Sequence, residues 1–469
     1  MKFPDLIHAL RPEPNNQIPQ AASAHDTFWD FVSLMPEPTH MLLWIMSDQA
    51  NPPSLRMMQG FGVHTFRPVN DAGASMFCKF HWNPVAGAHS VTWDEAVKIN
   101  GANVDFHRRD LWNAIKSGAF PKWELGIQVF TVAEVHNNQR DGIRRQSSPR
   151  GRVTYEPNSL GGGCPFQAGI SGFVSFPAPV FEDKVRGKSE KFADHFSQAR
   201  LFWNSQTPVE KKHIIAAFRF ELPKVQVPAI RERTVSMRAN VAHDLAQGVA
   251  DGLGFAVPKP QPRTLDKPAK PEVVASLALS FFARLGDGGV KTRQVAMLVC
   301  DGVDGASLQE VHSALIAEGA VPKFLAASLG TVAAQGGTPI KVDVTFEATA
   351  SALWDAVVLP AGSDAQTTLQ ADKRVLEFVK EQYRHCKLIV ALGEVDTLVA
   401  AVAMRATLED LKSDPGIIMV RDSVSATNAE DAQAAKPATK SSTAKNNGVL
   451  AADLIKALGK HRYFERELT

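Results

Sequence analysis

The residues able to do chemistry are plentiful, but their spacing excludes most familiar sites. The chain holds 14 histidines, 49 acidic residues and four cysteines. It contains no HExxH, GxSxG or CxxC, so a helix-borne zinc pair, a serine elbow and a redox dithiol are not encoded. Cys78, Cys164, Cys300 and Cys386 stand far apart, with no metal-ligand spacing. They read as free thiols in a reducing compartment, which points to the cytoplasm. Cys300 ends an apolar run, near the loop face where α/β sheets bind ligands. A partly buried thiol is the favoured reading there over a reactive one. His25 and Asp26 are adjacent, as an acid–base pair would be, but a helix cap suits them better. His107, Arg108 and Arg109 read as a solvated helix face or a subunit contact rather than an anion site. Gly161–Gly163 lacks the lysine and hydroxyl of a phosphate loop and reads as a turn.

Positioning elements follow from composition and pattern. Of the 469 residues, 44% are apolar and 21% charged, which is ordinary for two or three globular domains. The net charge of +2 gives no electrostatic case for nucleic acid or an anionic membrane. No apolar run approaches the ~20 residues of a membrane helix, and the first residues do not read as a secretory signal. Seven of the eight tryptophans fall in residues 1–255. Residues 256–273 carry five prolines and read as an extended linker. Residues 274–469 are rich in Ala, Val and Leu, so they form a separate domain.

In the first half, HDTFWDFVSLMP (25–36) reads as a helix stopped by Pro36. Residues 60–69 and 76–82 alternate as strands of a hairpin turned at Asn70–Gly73. Residues 105–117, 208–220 and 228–253 read as helical, and 123–130 as a third strand. In the second half, apolar runs at 294–300, 321–328, 355–361 and 386–392 alternate with helical stretches, the first from about Ser307 to Glu318. Such runs indicate a parallel sheet covered on both faces. Residues 421–448 read as a flexible loop and VLAADLIKALGKH as a last helix.

Several long stretches, in order, resemble the large-subunit catalases. They are SAHDTFWDFVSLMPEPTHMLLWIMSDQANPPSLRMMQGFGVHTFRPVN (23–70), FHRRDLWNAIKSGAFPKWELGIQV (106–129), RLFWNSQTPVEKKHIIAAFRFEL (200–222) and IRERTV (230–235). HNNQRDGIRR (136–145) resembles the family's asparagine–phenylalanine–glutamine–arginine–aspartate–glycine motif, and YEPNS (155–159) follows it. The second half resembles the C-terminal domain of long catalases, with the class I glutamine amidotransferase fold.

The resemblance implies a fold and a reaction. The fold is an α+β catalase core, here an incomplete antiparallel barrel (strands about 60–83 and 123–130) with a helical region at about 200–255. A flavodoxin-like or amidotransferase-like α/β domain follows. The reaction is haem-dependent decomposition of hydrogen peroxide to water and oxygen in the oxidative-stress response, by a homotetramer. On the family pattern Val63 and His64 are haem-side residues. The segments bearing the distal histidine and asparagine and the proximal tyrosine are not in the sequence, the second falling between Phe130 and Thr131. No catalytic residue or metal ligand is therefore assigned, and the chain as written is expected to be inactive. Of the three tyrosines, Tyr155 lies in YEPNS and Tyr383 and Tyr463 in the second half. RLFWNSQ looks like the proximal signature, but Asn204 stands at the tyrosine position. The amidotransferase nucleophile position falls in LIVALGEVDT (388–397), which has no cysteine. The competing expectation is a non-enzymatic scaffold or small-ligand-binding protein acting through the α/β domain.

Overall fold

A computed structural model describes residues 3–10, 25–68, 70, 75–130, 190–265, 270–335, 338–393, 414–420 and 452–467. The turn residues 71–73, HNNQRDGIRR, Tyr155, Gly161–Gly163, Cys164 and the 421–448 loop lie outside them. Inter-residue contacts divide the chain into two compact units. One comprises Met1–Gly60, Trp82–Glu124 and Asp194–Thr469, and the other Phe61–His81 and Leu125–Ala193.

The first half of the chain opens with helices α1 (Phe3–Ala9), α2 (His25–Leu34) and α3 (Thr39–Ile45). Helices α4 (Trp93–Ala102) and α5 (Phe106–Lys116) follow, then Ser197–Ser205, Pro208–Glu221, Pro228–Ala239 and His243–Leu253. Local chemistry sets their ends. Thr207 and Glu210 form a capping box with Pro208 in the first turn, and left-handed Gly254 (φ 77°) stops the last helix. Their apolar stripes meet in one core built on Trp29, Leu43, Phe202, Trp203, Phe218 and Leu245. The stretch expected as helix over 228–253 breaks at Asn240–Ala242, where the Arg200 guanidinium takes the Asn240 carbonyl at 2.9 Å. Asp26 does not cap α2. Its carboxylate accepts from the Gln226 backbone N–H at 2.7 Å, and His25 faces Glu221 at 3.3 Å, so the pair ties α2 to the segment before Pro228. The proline-rich stretch before residue 266 is tethered, with Gln261 bonded to the Arg233 carbonyl and Arg263 to Asn240.

Strands β1 (Gly60–Phe61), β2 (Phe77–Pro84) and β3 (Trp123–Phe130) form a sheet in that order. In the second unit, Phe66 and Cys78 exchange backbone hydrogen bonds at 2.9 and 2.8 Å, an antiparallel bridge across the expected hairpin, but of the strand expected over 60–69 only Gly60–Phe61 is regular. Leu125, Ile127 and Val129 are all more than half exposed on β3. Closure is what buries apolar strand faces in a barrel, and among the described residues this sheet has three strands.

The second half supplies β4 (Gln294–Leu298), β5 (Val303–Asp304), β6 (Val321–Ala326), β7 (Gly330–Val332), β8 (Ala334–Gln335), β9 (Ile340–Val342), β10 (Val344–Thr345), β11 (Ala356–Leu359), β12 (Leu388–Leu392) and β13 (Ile417–Val420). Six of them make a parallel sheet ordered β10-β6-β4-β11-β12-β13. From β6 onward this is the doubly wound order 2-1-3-4-5. Alternate residues serve opposite faces. Val295, Met297, Val358 and Val390 pack with helices Gly305–Ala317 and 452–459, and Ala296, Leu298, Val357 and Ile389 with helix Lys373–Arg384. Burial on both faces explains why these strands are apolar throughout.

Candidate functional site

The haem-side pair expected from sequence is solvent-exposed. Val63 is 75% exposed, and His64 is exposed with no hydrogen-bond partner among the described residues. Both described tyrosines are engaged elsewhere. The Tyr463 hydroxyl donates to the Ala457 carbonyl at 2.9 Å, and burial pushes its pKa up to about 12. The Arg466 guanidinium covers the Tyr383 ring at 4.7 Å. Asn204 lies on an exposed helix face. No group of three His, Cys, Asp or Glu side chains able to hold a metal occurs among the described residues. The described donor set therefore does not fit a haem iron, which needs an axial tyrosinate in this chemistry.

The thiols are likewise unsuited to catalysis. Burial, with the Asp301 charge, pushes Cys300 up to about 11, and its Sγ rests on the Ala365 carbonyl at 3.4 Å. Cys386 is buried, and desolvation pushes its thiol up. After β12, Gly393 is left-handed (φ 74°), and an added Cβ there would stand 3.0 Å from Ala361.

Chemically, the densest cluster was not foreseen. It lies where α4 meets the amino-terminal edge of the parallel sheet. Glu95, fully buried, takes the Lys387 ammonium and the Arg462 guanidinium on one oxygen, each at 2.8 Å. Burial resists its charge, but Arg462 and Lys387 outweigh burial and hold its carboxyl below the usual range. Lys387 also donates to the Ala352 and Trp354 carbonyls at 3.0 and 2.7 Å. Next to it, buried Arg293 donates to His461 and faces Asp355 at 3.6 Å. The His461 and His89 rings meet edge-on at 4.9 Å. Burial beside Arg293 and Arg462 keeps both imidazoles neutral, His89 falling to about 3.

Backbone strain marks the same place. The three non-glycine residues with left-handed φ among those described are Thr292 (67°), Cys386 (54°) and His461 (72°). Each immediately precedes one of the buried cations Arg293, Lys387 and Arg462. Such conformations cost of order 1–3 kcal/mol each and persist where surrounding contacts enforce them. The sequence signal was present: Arg293 and Lys387 stand directly ahead of apolar strand runs, where a charge must enter the floor of the sheet.

A helical region, a three-stranded sheet and a doubly wound α/β sheet together define an α+β plus α/β architecture. Three family profiles match in order: catalase over residues 1–143, catalase-related immune-responsive over 189–253, and the C-terminal domain found in long catalases over 291–467. The chain is 37% identical to Catalase HPII of Pseudomonas putida, covering 90% of this chain and 71% of that protein. It is 38% identical to Catalase HPII of Mycobacterium avium (87% and 71%) and 36% identical to Catalase-2 of Bacillus subtilis (90% and 73%). The chain belongs to the catalase family. These alignments span 521, 508 and 519 positions, more than the 469 residues of the chain, so the relatives carry residues inside the aligned region that this chain does not have.

Proposed function

We propose that this chain is a catalase by descent that does not, with these 469 residues, carry out the family's haem-dependent decomposition of hydrogen peroxide. The observation that carries the proposal is the exposure of Val63 and His64, which follow β1 outside any strand, with Tyr383 and Tyr463 occupied elsewhere. The relatives' extra aligned residues support a missing segment between Phe130 and Thr131, where the proximal ligand is expected. We place the partial core at 1–255, the linker at 256–273 and the second domain at 274–469. The sheet order and the glycine turn after β12 support an amidotransferase-like C-terminal domain without a nucleophile. Free thiols and catalase kinship favour the cytoplasm, and kinship favours a homotetramer. Among the described residues no helix is long and apolar enough to cross a membrane.

Oxygen release from hydrogen peroxide, measured for the chain mixed with equimolar haemin, tests the proposal. The expected rate equals that of haemin alone. Saturable turnover far above haemin would overturn it.

A further inference from the structure

The amino-terminal edge of the parallel sheet closes over a cavity of about 480 Å³. This volume is in the range of small-molecule sites. It lies at the opposite end of the strands from the carboxyl edge where doubly wound sheets usually bind ligands. The starts of β4 and β6, residues 352–355, and α5 with the turn at Ser54–Met57 form its walls.

The lining is cationic. Arg56, Arg109, Arg293, Lys323 and Arg462 all border the cavity, against the acids Asp110 and Asp355. Asp110 is taken by Arg56 through two bonds at 2.9 and 2.8 Å. Asp355 faces Arg293 and gives its other oxygen to the Gln294 backbone N–H at 2.9 Å. Glu95, behind the wall, offsets Arg462, whose buried Nε has no hydrogen-bond partner among the described residues. Arg109 and Lys323 have no acidic partner among the described residues. The basic run at 107–109, read from sequence as a solvated face, thus sends one member to the cavity rim. Val91, Ile99, Phe106 and Leu353 make the remaining wall apolar. Strained Thr292 and His461 fix the two cations that are deepest in the wall, Arg293 and Arg462.

We propose that this cavity binds a small organic anion, a phosphate or carboxylate carried on an apolar or aromatic body. Arg293 and Arg462 receive the anionic oxygens, Lys323 and Arg109 supply the uncompensated charge, and the apolar wall takes the body. Paired guanidinium donors suit such oxygens.

Calorimetric titration of the full chain with phenyl phosphate, at neutral pH and low salt, tests this. One saturable site is expected, with inorganic phosphate and benzyl alcohol each binding more weakly, and with affinity falling as salt is added. Lys323→Ala and Arg109→Ala remove side chains outside any ion pair among the described residues, so the fold is retained. Each is expected to weaken binding about tenfold, equivalent to about 1.4 kcal/mol. Lys341→Ala, the exposed residue of β9 and not part of the cavity lining, leaves binding unchanged. Absence of saturable binding, unchanged affinity in both cavity variants, or equal loss in Lys341→Ala would overturn the site. Equal binding of inorganic phosphate would remove the apolar body from the proposal.

Discussion

Arg238→Met is expected to make the protein more stable, although it deletes a fully buried charge. Arg238 sits on helix Pro228–Ala239 with 0% exposure, and none of its three guanidinium nitrogens has a hydrogen-bond partner among the described residues. Its one compensating contact of note is the Phe218 ring, 5.1 Å away. Burial lowers its pKa from 12.5 to about 10. That shift corresponds to about 3 kcal/mol against the charged form. A desolvated cation–π contact returns up to about 2 kcal/mol. The balance predicts that Met, which keeps the apolar stem, raises stability by about 1–2 kcal/mol, within the range seen when buried charges give way to apolar groups. Urea unfolding followed by far-UV circular dichroism reads this as a higher midpoint with an unchanged slope. A loss of about 2 kcal/mol or more would refute the reasoning, because it would mean that the guanidinium is paired in the folded protein.

Glu95→Ala takes the opposite direction. It strands Lys387 and Arg462 without their shared carboxylate, and a loss of about 3–5 kcal/mol is expected from the urea midpoint. Thermal melts across pH should show two flanks. His89 and His461 have folded pKa values below 6.5, so the unfolded state binds more protons and stability falls as pH drops below about 6.5, by up to about 1.4 kcal/mol per unit for each. His213 behaves inversely. Burial works against its charge, but Asp48 at 2.8 Å and Glu467 at 3.0 Å raise it to about 10. Its contribution is full below 6.5 and is lost as pH rises through about 10, so His213→Gln should flatten the alkaline flank and His89→Gln the acid one.

Elements were more legible than the site. Apolar runs bounded by turns located β4, β6, β11 and β12 to within two or three residues, because a strand buried on both faces leaves few alternatives. The 228–253 helix was drawn unbroken because nothing in Asn240–Ala242 is a helix breaker. The interruption is held instead by Arg200, a contact from forty residues away. Asp26 departs from a cap for the same reason: the donor its carboxylate accepts from is the Gln226 backbone N–H, 200 residues away, and not one in its own helix. The Glu95–Lys387–Arg462 cluster joins residues nearly 300 or more positions apart, and single-chain spacing carries no trace of such a meeting. Val63 and His64 were assigned by kinship alone. Their environment depends on barrel closure, which a local pattern does not reveal.

The central claim, a catalase-family chain without an iron site of its own, is tested most directly by titrating haemin into the purified protein and following the Soret absorbance. Weak, non-saturating absorbance, identical for the native chain and for His64→Ala, is the predicted result. A sharp Soret band saturating at one haem per chain would contradict it, since an axial ligand would then exist that the described residues do not provide.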